Sequence, residues 1–352
     1  MNKIVNIDKV EIGMVIDKPI YRENGALLVP EQTIVTNRLK YLLIEYGVSK
    51  VTVRNSNQLE LDTSTESIRK TITFKIFNEE MIRATENIKQ QLLQLTVDGE
   101  LVNLDKLSNS ILNLLNISEN NIQLMDMIYC MRNYDDETYI HSVNVAMMCK
   151  IMGEWIELHT EDRKVLLLCG LLHDIGKLEI PKEILTKTGY LTQEEMEIIK
   201  CHPGMGYTTI KDLNIDDRVK MAVYEHHEKC DGTGYPEGLK GSQIGDFSKI
   251  VTIIDIYDAM TADRAYRKGI CPFKVIQILS DEGYEKYDPK YLMIFLQRIS
   301  ETYINKYVHL STGETGKIIM INNNDLSRPL VKVEDRYIDL SKCREISIEV
   351  VL

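Results

Sequence analysis

An apolar segment that ends in a histidine and an aspartate constrains this chain more than any other feature. The run VLLLCGLL at 165–172 is typical of a buried helix, and His173 and Asp174 follow it directly. Burying two adjacent ionisable side chains is costly unless they have a partner. The sequence therefore predicts that His173 and Asp174 bind other groups inside the fold.

Six of the seven histidines lie between 141 and 227, although histidine is scarce in this chain of 352 residues. His226 and His227 are adjacent, and the Asp-Gly-Thr-Gly segment that follows them is typical of a turn. His202 ends a helix that a capping box at 192–195 opens. The co-occurrence of these features in one short stretch is more informative than any one of them.

Two carboxylates, like the histidines, lie in or next to predicted helices. Glu137 lies four residues before His141 in a helical segment, so the two share one helix face. Asp255 follows the apolar run KIVTII, which brings an acid into the interior. Imidazole nitrogens and carboxylate oxygens together suit first-row metals such as iron, manganese or zinc. The candidate metal ligands are Glu137, His141, His173, Asp174, His202, His226, His227 and Asp255.

These candidate ligands are more numerous than one tetrahedral metal site requires, and their number predicts two ions or three. A carboxylate can bridge two ions, and paired ions roughly 3.5–4 Å apart are a common device for phosphoester hydrolysis. The remaining histidines, His159 and His309, have no acidic or histidine partner at motif spacing, and we expect them to be structural.

The composition argues against several classes of function. The net charge is −11 and no long basic run is present, which disfavours a broad surface for nucleic acid or for an anionic membrane. Seven scattered cysteines without a CxxC pair are typical of reduced cytosolic thiols. The N-terminus lacks the apolar segment of a signal peptide, and the longest apolar run is too short to span a bilayer. We therefore expect a soluble, cytoplasmic protein.

The first part of the chain is predicted to be a small α+β module over residues 1–60. The Asn-Gly pair within 23–25 indicates a β-hairpin. Thr36 is a candidate N-cap for a helix that ends before Gly47. A polar linker is expected at 56–65.

The rest of the chain is predicted to be mainly α-helical until its last fifty residues. Residues 61–125 show helical spacing of apolar side chains and are expected to be a helical connector. Residues 126–300 form the main helical domain, in which Pro272 fits the first turn of a helix. Short strand-like runs at 301–352 indicate a small β-rich appendage. The predicted fold class is therefore mainly α, with a small module at each end.

Four motifs in the main helical domain resemble those of the HD-GYP domain, a subgroup of the HD phosphohydrolase superfamily. They are HDIGK at 173–177, HPGMG at 202–206, HHEKCDGTGYPEGLKG at 226–241 and IIDIYDAMTADRAYR at 253–267. The resemblance covers roughly residues 126–300, about half of the chain. It implies an all-helical domain that hydrolyses the bacterial second messenger cyclic di-GMP to linear pGpG, to GMP or to both.

The resemblance also implies roles for the candidate ligands. Asp174 would be the carboxylate that bridges two metal ions. Some members bind a third ion through an upstream glutamate and histidine, and Glu137 and His141 match those positions and their spacing. Iron or manganese would be the expected metals. By position, the two-ion core would be held by His173, Asp174, His202, His226, His227 and Asp255.

Further residues are implied in catalysis and substrate binding. Lys177 closes the first motif and would direct its ammonium toward a phosphate, so that Asp174 and Lys177 are the predicted catalytic residues. Arg264 and Arg267 would clamp the second phosphate. Tyr235 would stack on a guanine or shape the mouth of the pocket. The alternatives are a surface lysine, a solvated helix face for Arg267, and a packing role for Tyr235.

Other residues near these motifs are expected to play supporting roles. Asp258 would order the two arginines or cap the local structure. Glu225 and Glu228 flank the histidine pair and are expected to be outer-shell or surface residues rather than ligands. Many members continue the glycine motif with Ile-Pro, whereas this chain has Ile244-Gly245. That departure should change the stiffness of the loop and not metal binding.

Together these residues predict phosphodiester hydrolysis in which a hydroxide that bridges the metals attacks phosphorus. Two other functions stay open: a cyclic di-GMP receptor that does not turn its ligand over, and an HD hydrolase of another cyclic dinucleotide. A GGDEF-type cyclase or another signalling protein is a candidate partner. The long helices of 66–125 are compatible with a homodimer and equally with a monomer.

Overall fold

The computed structural model divides into two compact units, residues 1–62 and 63–352, and each has a hydrophobic core of its own. Most of the predicted linker at 56–65 lies outside the part of the chain that the structure describes. The described residues are 3–10, 14–22, 27–30, 33, 35, 37–54, 65–98, 104–131, 137–187, 189–263 and 268–352.

The first unit combines strands with one helix. A three-stranded antiparallel sheet has the strand order β1-β5-β2, and β3 and β4 form a separate antiparallel pair. Buried aliphatic side chains from the sheet and the helix form its core. The elements are β1 Lys3–Asn6, β2 Val15–Ile16, β3 Ile20–Tyr21, β4 Leu27–Val29, α1 Asn37–Glu45 and β5 Lys50–Arg54.

The local signals of this unit agree with the structure where it is described. Gly47 has a φ of 71°, a left-handed conformation that suits glycine just beyond a helix end, and α1 ends before it as predicted. The predicted hairpin turn at 23–25 lies outside the described residues, although β3 and β4 pair on either side of it. The predicted cap Thr36 also lies outside them.

The second unit consists mainly of α-helices, which confirms the predicted fold class. The longest is α3, and no helix among the described residues has the length and apolar character needed to cross a membrane. In chain order the helices are α2 Thr65–Lys70, α3 Ile72–Asp98, α4 Leu104–Leu115, α5 Asn121–Cys130, α6 Glu137–Trp155, α7 Thr160–Leu172, α8 Lys182–Leu185, α9 Gln193–Lys200, α10 His202–Ile210, α11 Asp217–Glu225, α12 Asp246–Thr261, α13 Pro272–Lys286 and α14 Pro289–Glu301.

Helices α6, α7 and α12 form the centre of this unit. The apolar run at 165–172 lies in α7 and is largely buried, as predicted. Gly170 allows α7 to approach α6 closely, since a Cβ atom there would lie 2.9 Å from the Cα of Ala146. Because α7 ends in the interior, the residues that follow it, His173 and Asp174, are buried as well.

The predicted capping box opens α9, where the Thr192 side chain accepts from the Glu195 N–H and the Glu195 carboxylate accepts from the Thr192 N–H. The predicted place of His202 at the end of this helix was wrong. Helix α9 ends at Lys200, and His202 begins α10, with Pro203 in its first turn. Proline cannot continue a helix but fits its first turn, which explains the break.

A five-stranded antiparallel sheet follows the helices, in the strand order β10-β6-β7-β8-β9. Its buried face belongs to the same hydrophobic core as α13 and α14. Asp126 of α5 forms an ion pair with Lys306, which is buried just before the first strand. The strands are β6 Tyr307–Leu310, β7 Thr315–Asn322, β8 Asp325–Val333, β9 Arg336–Asp339 and β10 Ile348–Val351.

A tight backbone contact joins the first two motifs of the second unit. The 3-10 turn at 175–179 packs against the start of α10. A Cβ atom on Gly176 would lie 1.9 Å from the carbonyl oxygen of His202 and 2.5 Å from the amide nitrogen of Gly206. Only glycine fits there, and this contact fixes the distance between the HDIGK and HPGMG segments.

We predict that Gly176→Ala destabilises the second unit by about 2 kcal/mol or more, since backbone atoms cannot yield to the added methyl group as a flexible side chain would. Thermal and denaturant unfolding would measure the change. Gly189→Ala is the matched control, because no atom lies within 4 Å of its Cβ position, and we expect it to stay within roughly 0.5 kcal/mol of the parent. Equal stability of the two variants would contradict the prediction.

Candidate metal centre

Imidazoles and carboxylates that are far apart in the sequence meet in one cluster inside the second unit. Helix ends supply most of them, and α6 and α12 supply the rest from within a helix. The His173, His202 and His226 side chains are completely buried, and Asp174 is 3% exposed. The side chains in the cluster are His141 of α6, His173 and Asp174 after α7, His202 of α10, His226 and His227 after α11, and Asp255 of α12.

Asp174 lies between two sets of histidines. Its Oδ1 atom is 3.3 Å from His202 Nε2 and 3.6 Å from His226 Nε2. Its Oδ2 atom is 3.4 Å from His173 Nε2 and 3.9 Å from His141 Nε2. Each carboxylate oxygen thus faces a different pair of imidazoles, as a carboxylate that bridges two ions would.

The donor atoms form two groups that share Asp174, and within each group they lie within 4.8 Å of one another. One contains Asp174, His202, His226 and His227, and the other contains His141, His173 and Asp174. The second group lies against Asp255, whose Oδ1 is 2.9 Å from His141 Nε2 and 3.7 Å from His173 Nε2.

The chemistry of these donors fits divalent metal ions. The buried atoms His173 Nε2 and Asp174 Oδ1 have no hydrogen-bond partner among the described residues, although both point into the cluster. A buried polar atom without a partner costs about 1–3 kcal/mol, and a bound ion is a common explanation for one. Nitrogen and oxygen donors in this number suit manganese, iron or zinc and do not select one of them.

Three imidazoles are oriented by the backbone of the helix that precedes each of them. The Nδ1 atoms of His173, His202 and His226 each donate to the carbonyl oxygen three residues earlier, at 2.8, 2.7 and 2.9 Å respectively. Carbonyl groups near a helix end are free to accept such bonds. The Nε2 atom of each ring is thereby directed at Asp174, an arrangement that metal-binding histidines commonly use.

His141 is oriented differently because it lies inside α6, where the backbone carbonyls take part in the helix. Its Nδ1 atom is 2.7 Å from Asp258 Oδ2, and its Nε2 atom is 2.9 Å from Asp255 Oδ1. The two aspartates lie three residues apart on α12, so they hold the imidazole from both sides. Asp258 is 1% exposed. Its contact with His141 is a role that the sequence did not reveal, and the spacing from Asp255 was the available signal.

The carboxylates of the cluster are held in their charged form. Burial alone would raise the pKa of Asp174, but the positive charge of His173 and of Lys177 outweighs it and holds that pKa well below its usual range. Burial is likewise the largest effect on His173, yet the carboxylates of Asp174 and Asp255 raise the pKa of that imidazole to about 10. The cluster therefore favours positive charge next to its carboxylates, which divalent ions would supply.

The two adjacent histidines in the other half of the cluster are neutral imidazoles. Burial lowers the pKa of His226 to about 4 and holds the pKa of His227 well below its usual value. A neutral imidazole has a free lone pair for a metal ion, so these two side chains are suitable ligands at neutral pH.

Two predicted substrate contacts lie beside the cluster. Lys177 donates to Asp174 Oδ2 at 2.6 Å, and its side chain is 25% exposed. Tyr235 stacks on the ring of His227, with the ring centroids 4.7 Å apart and the planes at 27°. Tyr235 is therefore in contact with a candidate metal ligand, and its predicted stacking on a guanine stays a prediction.

The side chains of three other predicted site residues lie outside the part of the chain that the structure describes. Glu137 begins α6 and precedes His141 by four residues as predicted, but its side chain lies outside the described part of the chain. Arg264 and Arg267 lie outside the described residues altogether.

Two buried glutamates support the histidine pair, and neither is a surface residue. Glu228 is 2% exposed, and its carboxylate accepts the backbone N–H groups of Glu237, Gly238 and Leu239 at 2.6, 3.0 and 2.9 Å. These bonds hold the glycine-rich loop against the end of α11. The expected outer-shell role of Glu228 agrees with this contact, whereas a surface position does not.

Glu225 joins α11 to the start of α12. Its Oε2 atom accepts from the Gly245 N–H at 2.9 Å and from the Ser248 hydroxyl at 2.7 Å. The Gly245 N–H is a donor that proline, found here in many HD-GYP domains, would lack. The departure at Ile244-Gly245 therefore adds a hydrogen bond behind the histidine pair.

Comparison with known proteins agrees with this geometry. The family model described as HD domain matches residues 115–291, half of the chain. The chain belongs to the HD domain family. This finding and the names of the relatives confirm the resemblance to HD-GYP domains that the four motifs indicated.

Two curated relatives illustrate the similarity. The chain is 33% identical over 204 residues to the cyclic di-GMP phosphodiesterase PA4108 of Pseudomonas aeruginosa, which covers 58% of this chain and 49% of that protein. It is 36% identical over 164 residues to 3'3'-cGAMP-specific phosphodiesterase 1 of Vibrio cholerae. That match covers 46% of this chain and 38% of the Vibrio protein. The chain thus spans about half the length, or less, of these curated relatives.

A solved structure shares the fold. Bd1817, an HDG"Y"P protein from Bdellovibrio bacteriovorus, superposes with a TM-score of 0.55 at 15% identity, over 85% of this chain and 99% of that one. At this level of identity the likeness is one of fold alone.

We predict that Asp258→Leu lowers the metal content of the purified protein without emptying it. The substitution frees the His141 ring, whereas His202, His226 and His227 do not contact Asp258. Asp258→Asn should retain more metal than Asp258→Leu, because its amide oxygen still accepts from Nδ1. Metal analysis of anaerobically purified protein would measure this difference.

Asp246→Leu is the matched control, since it removes a carboxylate from the exposed first turn of the same helix. Its metal content should equal that of the parent. A full metal complement in folded Asp258→Leu protein would show that Asp258 does not position His141 for metal binding.

Proposed function

We propose that this chain is a metal-dependent phosphodiesterase that hydrolyses cyclic di-GMP to pGpG, to GMP or to both. The observation that carries the proposal is the carboxylate of Asp174, whose two oxygens face two different groups of histidines. Paired metal sites of this kind are a common basis of phosphoester hydrolysis. The names of several relatives, among them PA4108, support cyclic di-GMP as the substrate.

We infer that two or three divalent ions, with iron or manganese as the expected metals, bind in this cluster. When bound, such ions polarise phosphate oxygens and lower the pKa of water. Glu137 and His141 are assigned to a third ion. The inferred ligands of the core are His173, Asp174, His202, His226, His227 and Asp255.

Lys177 is well placed to contact the reacting phosphate. Its ammonium group bonds to Asp174 and is partly exposed, so it borders both the cluster and the solvent. An ammonium there would stabilise the negative charge that develops on the phosphoryl oxygens. Arg264 and Arg267 remain the proposed clamp for the second phosphate.

The proposed role of Tyr235 is narrower than the sequence suggested. One face of its ring stacks on His227, so a guanine base would contact only the opposite face or the ring edge. The same stacking holds His227 in place, which connects substrate binding with the ligand set.

A different cyclic dinucleotide is the second candidate substrate. The observation that favours it is the similarity to three 3'3'-cGAMP-specific phosphodiesterases of Vibrio cholerae, at identities between 31% and 36%. The cytoplasmic location, the GGDEF-type cyclase or other signalling protein as partner, and the homodimer stay predictions from the sequence.

The purified chain should hydrolyse cyclic di-GMP when supplied with Mn²⁺ or Fe²⁺, and Asp174→Ala should reduce turnover below detection. The reason is that this substitution removes the one carboxylate shared by both groups of donors. Chromatography of the nucleotides would follow the reaction and would distinguish pGpG from GMP.

Three outcomes of this experiment would contradict the proposal. Robust turnover by metal-free Asp174→Ala protein would rule out the metal mechanism. Tight binding with intact nucleotide recovered after long incubation would indicate a receptor. Faster turnover of 3'3'-cGAMP than of cyclic di-GMP under the same metal condition would reassign the substrate.

Lys177→Met should lower the turnover number by roughly a hundredfold, the usual effect of removing one donor to the charge of a transition state. Lys187→Met is the matched control, because Lys187 is paired with Glu195 at the start of α9 and has no contact with the cluster. Steady-state kinetics of the two variants, at equal metal content, would test this role. Equal turnover numbers would assign Lys177 to structure alone.

A further inference from the structure

A polar cavity of about 480 Å³ lies in the second unit, and none of its lining residues belongs to the metal centre. Its walls are one face of α13, one face of α14 and the β7–β8 hairpin with the segment after β9. A cavity of this volume is within the range of small-molecule sites.

Two arginines supply positive charge to this cavity. Arg328 donates from Nη1 to the backbone oxygens of Ile346 and Leu340, at 3.0 and 3.4 Å, which restricts the position of its guanidinium group. Arg344 is exposed at the rim. Among the described residues, neither guanidinium has a carboxylate within ion-pair distance. Two aspartates also line the cavity, yet neither forms an ion pair with these arginines, so both guanidinium groups can contact a phosphate, which arginine binds through paired N–H groups.

The wall formed by α13 offers contacts for a planar ring. Tyr284 is 45% exposed and lines the cavity together with Met293 of α14, which is 57% exposed. Aromatic rings and thioether groups both pack favourably against planar rings. Asp281 lies almost one turn before Tyr284 on the same helix and is exposed, without an ion pair among the described residues.

The carboxylate and the two guanidinium groups of the cavity favour one kind of planar ligand over others. A carboxylate accepts hydrogen bonds and cannot donate them. Guanine presents two adjacent N–H donors on its Watson–Crick edge, whereas adenine pairs an N–H group with an acceptor. Asp281 therefore complements guanine, while Arg328 and Arg344 complement a phosphate on the same ligand.

We propose that this cavity is a second ligand site that binds a guanine mononucleotide. Its phosphate would contact Arg328 and Arg344, and its base would lie against Tyr284 with its edge toward Asp281. The choice of guanine also rests on the proposed function, whose products carry that base, whereas the charge and shape of the cavity do not depend on it.

GMP binding to the full chain would test the proposal by calorimetry, since GMP contains no phosphodiester to hydrolyse. The parent in EDTA and the Asp174→Ala variant both lack a complete metal centre, so saturable GMP binding to either reports a separate site. Arg344→Ala and Asp281→Ala should each weaken that binding about tenfold, the usual effect of losing a charge-assisted hydrogen bond. AMP and inorganic phosphate should bind at least tenfold more weakly than GMP.

Matched controls remove the same charges outside the cavity. Lys342→Ala removes a cation two residues before Arg344, and Glu285→Ala removes an acid next to Tyr284, and neither residue lines the cavity. Both controls should bind GMP as the parent does. Absence of GMP binding at millimolar concentration, equal binding of AMP, or equal weakening by the controls would overturn the proposal. Turnover of cyclic di-GMP, measured separately on the parent with metal, would show independently whether the proposed function holds.

Discussion

The carboxylate of Asp174 is the group on which the rest of the second unit depends. It is buried with four imidazole nitrogens and one ammonium within 3.9 Å. Those partners come from α6, from the end of α7, from the 3-10 turn at 175–179, from the start of α10 and from the end of α11. Removing one partner of a buried charge is more costly than losing an apolar contact, because the remaining charge stays in the interior. The relative positions of these helices are therefore determined by the contacts that stabilise one buried carboxylate as well as by apolar packing.

The imidazole rings around Asp174 are oriented in two different ways. His202 and His226 are oriented by backbone carbonyls at the ends of α9 and α11, so the orientation of these two rings needs only that each helix ends where it does. His141 lies in mid-helix and depends on Asp258 and Asp255 of α12, more than a hundred residues away in the chain. The orientation of His173, His202 and His226 is thus determined by local structure, and that of His141 by tertiary packing. A substitution that displaces α12 should therefore change the orientation of His141 before that of the other imidazoles.

The difference between local and long-range contacts explains which features could be predicted from the sequence. Local patterns were sufficient for the buried α7 run, for the capping box of α9 and for the left-handed Gly47 beyond α1. The candidate ligands were also found from the sequence, because the motifs occur in a fixed order. The contact of Asp258 with His141 and the loop-holding role of Glu228 were not predicted. The first pairs two distant helices and the second joins Glu228 to a loop shortly after it, and no periodicity or propensity marks which acid meets which donor.

The surroundings of the buried acids separate structural carboxylates from candidate ligands. Both oxygens of Glu228 accept backbone N–H groups, and Oε2 of Glu225 accepts an N–H group and a hydroxyl, so these charges are balanced by neutral dipoles. Asp174 instead has imidazoles around it and an Oδ1 atom without a hydrogen-bond partner among the described residues. A carboxylate oxygen that accepts neutral donors is stable without a metal, whereas a buried oxygen that accepts no hydrogen bond loses that stabilisation. Glu225 and Glu228, although adjacent to the histidine pair, are therefore supports of the site, whereas Oδ1 of Asp174 is the oxygen that a bound cation would stabilise.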